Sequence, residues 1–198
     1  MLDFSAIDPL TLAALIACGL AGGFINTIAA SGATVTLPTM ISLGLAPGLA
    51  NGTNRLAAVA GLATATWRFQ QAGAIPWKLT LKATAPMVIG ASIGAFGATA
   101  LADRWISLAV AISLLFVLIT LITKPAELLK EEPVVANNQT TELGPLFYGL
   151  MALTGLWVGF ISLGSGVMTL LVLVLAGKIP LKTANILKCF VRLSSSLV

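Results

Sequence analysis

Twice along this chain an apolar run of helical length stops at a cluster of small residues, and a shorter apolar run starts again at once. The first occurrence spans Gly19 to Arg55, with the break at Ala29-Ala30-Ser31-Gly32 and a polar close at Gly52-Thr53-Asn54-Arg55. A diverged copy begins at Gly155 and runs through Gly159-Phe160 to a break at Gly164-Ser165-Gly166. Few folds accept this pattern. In lipid every backbone N–H and C=O must be satisfied internally, so a broken helix survives at membrane depth only where protein or a watery cavity surrounds it. Paired broken segments in two repeats point to a transporter-like bundle with its site at the repeat interface.

Composition decides that lipid is the solvent. Hydrophobic residues make up 58% of the chain and charged residues 9%, with a mean hydropathy of +1.00. A soluble domain carries about 25% charged residues, so this chain cannot cover a soluble surface with polar groups. The 19 glycines fit the same reading, because Gly is more frequent in membrane helices than in soluble ones. The net charge of +4 does not point to nucleic acid, since the cations are scattered at span ends. Cys18 and Cys189 lie in apolar runs and suggest neither a disulfide framework nor a metal site. There is no His, and no cofactor is indicated. The first ten residues hold Asp3 and Asp8 but no Lys or Arg, so the basic start of a cleavable signal is missing.

A helix needs about 20 apolar residues to cross a hydrocarbon core. The run at residues 9–29 is long enough; the next, 33–46, is short and contains Pro38. After the Ala46-Pro47-Gly48 turn a third helix reaches about Phe69, with Ala57, Gly61 and Ala65 as a small-residue stripe for close helix contact. A fourth helix covers 79–101 with the pair Gly90 and Gly94, and a Leu- and Ile-rich, lipid-facing fifth covers 105–123. Residues 124–142 are the one substantial polar loop. A sixth helix at 143–163 repeats the first, 167–176 repeats the short segment, and an eighth segment carries Lys188 and Arg192. The expected fold is an all-α integral membrane protein: a polytopic bundle of two inverted repeats, 1–123 and an incomplete 143–198, joined by 124–142, each with a broken helix.

Charge sets the orientation. Lys and Arg favour the cytoplasmic side, and the turn at 45–50 is uncharged while its counterpart at 177–182 holds Lys178 and Lys182. A repeat of five crossings inverts its copy and predicts this contrast. All seven acids, Asp3, Asp8, Asp103, Glu127, Glu131, Glu132 and Glu142, lie in loops or at termini, whereas Arg55, Lys188 and Arg192 lie in or near spans. A charge at the bilayer centre costs roughly 2.5–3.5 kcal/mol on insertion scales and usually has a partner. With no protein anion in the spans, an anionic substrate is a candidate partner. Snorkelling of Arg55 to the interface is the competing reading, as is helix capping for Thr53 and Asn54. The breaks at Ser31-Gly32 and Ser165-Gly166 either aim backbone N–H groups at an anion or are plain turns.

These motifs resemble the TauE/SafE sulfite exporter family. The likeness rests on Gly22-Gly23-Phe24-Ile25-Asn26-Thr27-Ile28-Ala29, Thr36-Leu37-Pro38, Gly52-Thr53-Asn54-Arg55, and the second-half Gly159-Phe160 with Gly164-Ser165-Gly166. The resemblance implies a multi-pass cell inner (plasma) membrane protein that moves sulfite, sulfonates or related organosulfur anions, generally outward. It implies no enzyme activity. With the charge argument it puts Asn26, Ser31, Gly32, Thr53, Asn54, Arg55, Ser165, Gly166 and Lys188 at the substrate. The partners expected are a small anion and the lipid bilayer, and a homo-oligomer is compatible. The chain departs from the family in its diluted first break, in Leu187 beside Lys188, and in stopping at Val198 inside a span, which suggests C-terminal truncation. An anion channel and a non-transporting membrane scaffold are the alternatives; duplicated broken segments argue against the scaffold.

Overall fold

The computed structural model describes residues 16, 17, 19, 22, 32–99, 103–123 and 143–197. Most of the first apolar run, with Asn26 and Ser31, and the whole of the 124–142 loop lie outside them. Among the described residues the architecture is all-helical. The elements are α1 (Ala33–Ser42), α2 (Pro47–Gln71), α3 (Trp77–Thr99), α4 (Asp103–Thr123), α5 (Pro145–Phe160), α6 (Ser165–Leu171) with a π-helical turn (Val172–Ala176), and α7 (Leu181–Ser196).

Local chemistry accounts for the boundaries. Pro47 and Pro145 open α2 and α5, where a missing N–H costs nothing and φ is already helical. Gly44 and Gly73, both at positive φ, turn the chain after α1 and α2. The second break differs from the sequence expectation. It falls at residues 161–164, with Ile161 extended and Gly164 at φ +74, and Ser165 already begins α6. A Cβ at Gly164 would also press on Val117 of α4 at 3.3 Å, so space and backbone both call for Gly there.

The tightest packing joins α3 to α5. Gly90 and Gly94 face Ala152 and Leu156, while Gly155 and Gly159 face Met87 and Ala91. A Cβ on any of the four would overlap a backbone carbonyl oxygen of the partner helix. Two small-xxx-small pairs thus interlock reciprocally, and the backbones meet as such pairs allow in lipid. The Gly90–Gly94 pair is the packing feature the spacing suggests, and Gly155 with Gly159 is its other half.

Two apolar clusters complete the core. One gathers Met87, Phe147, Met151, Leu173, Leu187 and Val191 beneath α3, α5 and α7. The other gathers Leu37, Ala50, Ile106, Val110, Ile161 and Leu163 around α1, α2 and α4. Helix α4 is sided: Ile106, Val110, Ser113, Val117 and Thr120 are buried, and Leu108, Ile112, Leu115, Leu118 and Ile122 face outward. With Ile89, Ile93 and Phe96 of α3 they form an outward apolar surface, which needs lipid or protein to cover it. By length and composition one described helix, Trp77–Ala98, suffices to cross a bilayer alone; Arg104–Thr120, Pro145–Phe160 and Ser165–Ala176 are apolar but shorter. Helix α2 is long enough at 25 residues, but Asn51, Thr53, Asn54 and Arg55 dilute its apolar character.

Candidate functional site

Helix α7 is the innermost element. It is buried at Thr183, Ala184, Ile186, Leu187, Val191, Ser195 and Ser196, and also at its two cations. Lys188 is 2% exposed and Arg192 3% exposed. Asn185, Lys188, Cys189 and Arg192 recur at the spacing of one helix face, and all four line a cavity of about 610 Å³. Gly32 and Thr36 of the first broken segment, Ala57, Ala58, Gly61 and Ala65 of α2, and Ser162 and Gly164 of the second break line it too. The cavity therefore lies between the two halves of the sequence, and among the described residues no Asp or Glu lines it.

A buried hydrogen-bond relay forms the wall opposite α7. Thr36 Oγ1 donates to Asn54 Oδ1 at 2.5 Å, with the Gly32 carbonyl at 3.3 Å as its second acceptor. Asn54 Nδ2 donates to Ser162 Oγ at 2.8 Å, and the Ser162 hydroxyl and amide N–H both donate to Asn51 Oδ1, at 3.2 and 3.1 Å. Asn51 Nδ2 completes the relay at the Phe160 carbonyl, 3.4 Å away. Each donor points the same way along the chain, so the links polarise one another. This is how an unwound stretch is tolerated: Ile161 N–H keeps its helical acceptor at Trp157 O, while Asn51 takes the Ser162 N–H and donates to the Phe160 carbonyl, and Asn54, three residues on along α2, holds the Ser162 hydroxyl. Ser165 Oγ closes the turn by donating to the Ser162 carbonyl at 2.5 Å.

Arg55 sits beside this wall and is held by carbonyls. Its Nε donates to Ser196 O at 3.3 Å, its Nη1 to Gly159 O at 3.3 Å and its Nη2 to Ser195 O at 3.1 Å. The guanidinium thus meets the carboxyl ends of both α5 and α7, where orphan carbonyls and the negative end of the helix dipole favour a cation. Snorkelling does not describe this geometry, because the side chain reaches across to the other half of the chain. Arg192 differs: its Nε is buried with no acceptor among the described residues. An unsatisfied buried donor costs about 1–3 kcal/mol, and more when charged.

Of the residues singled out from sequence, Gly32, Asn54 and Lys188 line the cavity. Thr53 is exposed, and Ser165 and Gly166 are buried behind Ser162 and Gly164, the residues of that break that do line it. Asn26 and Ser31 lie outside the described residues. The stripe Ala57, Gly61, Ala65 lines the cavity, and no atom lies within 4 Å of a Cβ placed at Gly61, so its smallness makes room there. Sequence reading left Thr36, Asn51, Ser162 and Asn185 out of the site, and it noted Arg192 only as a cation in a span. The three-residue spacing of Asn51 and Asn54 and the helical spacing of 185, 188, 189 and 192 were the available signals.

The family described as Sulfite exporter TauE/SafE matches residues 15–198. A probable membrane transporter protein, ORF9, of Sinorhizobium is 34% identical over 88 residues, which is 44% of this chain and 34% of that protein. A probable membrane transporter protein of Haemophilus influenzae is 36% identical over 64 residues, 32% of this chain and 25% of that protein. The Escherichia coli probable membrane transporter protein YfcA is 36% identical over 63 residues, 32% of this chain and 23% of that protein. The matched stretches thus span about a third or less of these relatives. No solved structure matches the chain.

Proposed function

The chain belongs to the Sulfite exporter TauE/SafE family, and from that premise we propose that it acts as a multi-pass secondary carrier of small anions in the cell inner membrane. Sulfite, sulfonates and related organosulfur anions are the proposed cargo. The observation that carries this reading is the cavity between the halves: the buried Lys188 and Arg192 and the exposed Arg68 line it, and among the described residues no acid does. Such a space has a positive potential, and burial strengthens it, because low dielectric weakens screening. An anion entering it finds charge already assembled and hydrogen-bonding groups on the opposite wall.

In this reading Gly32, Asn54 and Lys188 meet the anion from the cavity wall, and Asn26 and Ser31 are taken as substrate contacts from the sequence motifs alone. Ser165 and Gly166 support the second break from behind. Thr53 and Arg55 flank Asn54 on α2, where the Arg55 fork holds the two helix ends that frame the cavity. The repeats 1–123 and 143–198 are taken as inverted, which matches the charge contrast between the turns at 45–50 and 177–182. Alternating access would then move one repeat against the other around the shared cavity.

Flux through reconstituted liposomes tests this directly. A carrier gives saturable sulfite movement and exchange across the membrane. Linear, non-saturating flux would replace the carrier with a channel, and no flux above empty liposomes would remove transport from the reading.

A further inference from the structure

We propose that Cys189 is a reversible modification site: its thiol takes up a small anionic sulfur electrophile, a disulfide or thiosulfonate, as a mixed disulfide, and the adduct closes the cavity. The adduct site stands on geometry; the closure rests on the carrier reading. Cys189 is 6% exposed, yet it lines the cavity on the same face of α7 as Asn185 and Arg192. Its thiol donates to the Asn185 carbonyl at 3.3 Å, a contact within its own helix. It is a free cysteine, and among the described residues no metal-binding group contains it.

A buried thiol alone is ordinary packing, since free Cys behaves as a small hydrophobe. Arg192 adds an independent observation. It is 3% exposed, lines the same cavity, and its Nε has no acceptor among the described residues. An orphaned buried donor of this kind calls for an acceptor that enters the cavity. Lys188 adds a second buried cation on that wall, and among the described residues no acid lines the space. In a poorly screened interior this charge draws an anionic reagent toward the thiol and repels a cationic one. The facing wall of α2 is Ala57, Ala58, Gly61 and Ala65, and nothing lies within 4 Å of a Cβ placed at Gly61. The attached group therefore has room, and it fills the space once there.

The step is a thiol–disulfide exchange. The Cys189 proton passes to water, and the thiolate, which is the nucleophile, attacks the divalent sulfur of the reagent. A new S–S bond to Cys189 forms and the reagent's own S–S bond breaks. The electron pair leaves on the second sulfur, as a thiolate or a sulfinate. Cys189 is oxidised and the leaving sulfur is reduced, and attack by a free thiol on the adduct reverses the step.

The cysteines of the chain are Cys18 and Cys189, so the test uses Cys18→Ala protein in detergent. The probes are two methanethiosulfonates, one carrying a sulfonatoethyl group and one a trimethylammonioethyl group. Each adduct rate is read by intact-mass spectrometry and divided by that reagent's rate with free 2-mercaptoethanol. The anionic probe is expected to lead by at least about tenfold, the low end of the gain from a field-focusing cleft. Cys189→Ser is expected to lose the mass shift. Arg192→Gln is expected to slow the anionic probe severalfold without slowing the cationic one, and Arg192→Lys to restore the anionic rate. Unfolding would speed both probes, so the two rates separate lost charge from lost fold. No adduct on Cys189, equal normalised rates, or an anionic rate that Arg192→Gln leaves unchanged overturns the site. For the closure, protein modified before reconstitution is expected to lose saturable sulfite flux and to regain it with dithiothreitol. Full modification with unaltered flux overturns the closure. Absence of flux before modification removes the carrier reading and the closure with it, while the adduct rates still decide the site.

Discussion

Asn54 Nδ2 lies 2.8 Å from Ser162 Oγ, and this bond ties α2 to the second break across 108 residues of sequence. Asn54 also accepts from Thr36 on α1, so one amide joins both broken segments. Its position next to Arg55 and within a turn of Asn51 makes α2 the strut that both breaks lean on.

Replacing that amide separates structure from electrostatics. Asn54→Ala leaves the Thr36 hydroxyl one acceptor poorer and Ser162 without its donor, and is expected to cost about 1–3 kcal/mol of stability. Thermal unfolding in detergent measures it. Asn54→Asp keeps the acceptor for Thr36 but places a carboxylate on the wall facing Lys188 and Arg192. It is expected to lower anion affinity by more than its effect on unfolding explains, measured by titration with sulfite.

The glycines of α3 and α5 predict opposite signs. Gly90→Ala and Gly155→Ala would force a Cβ into a facing carbonyl and separate the helices, with an expected loss of about 1–3 kcal/mol for overpacking. At Gly97 and Gly149 nothing lies within 4 Å of an added Cβ. There the alanine variants are expected to be neutral or to gain about 0.4–1 kcal/mol from reduced freedom of the unfolded chain. A common sign across the four unfolding curves would refute the reciprocal packing.

Arg55 has a structural consequence of its own. Arg55→Gln removes a cation from two helix ends and leaves the carbonyls of Gly159, Ser195 and Ser196 short of donors, an expected loss of about 1.5–3 kcal/mol for hydrogen bonds to a charged group. Arg55→Lys keeps the charge but cannot span three carbonyls with a planar fork. Both variants should therefore unfold below the native protein, with lysine the milder. Hydrogen exchange is expected to rise first in the last turn of α7.

Filling the cavity should block function without harming the fold. Gly61→Leu adds a side chain where no neighbour stands. Its unfolding temperature is expected to match the native protein within experimental spread, while liposome flux of an organic sulfonate falls more steeply than that of sulfite. A severe loss of stability would show that the space is not there.

Topology is open to chemical labelling. Leu49 and Lys182 are exposed and stand near the equivalent turns. Gly177 is unsuited to the test, since a Cβ there would press on Leu173 O and the Phe147 ring. Single cysteines Leu49→Cys and Lys182→Cys in a cysteine-free background should react with an impermeant thiol reagent from opposite faces of the membrane. Labelling of both from one face would end the inverted-repeat reading.

Much of this architecture is legible in the residues alone. Period, length and punctuation are local properties: Pro47 and Pro145 open helices, Gly44 and Gly73 close turns, and the Leu- and Ile-rich run of α4 reads as lipid-facing, although which of its residues turn inward is seen only in the structure. The small-residue breaks and the exclusion of acids from the spans are equally a matter of one-dimensional order, and they make an anion a candidate partner, while composition points to lipid as solvent. Partnership is different, because it depends on which distant groups meet. Nothing in the order of residues says that Asn51 accepts from Ser162, that Gly155 interlocks with Gly90, or that Ala57, Gly61 and Ala65 line a cavity. The contrast between Arg55 and Arg192 is the clearest case. Both are single arginines in or near an expected span, with the same charge and the same fork. Only the tertiary structure brings two helix ends to the first and, to the second, a cavity that no acid among the described residues lines, because a hydrogen bond is decided by the few ångströms between donor and acceptor.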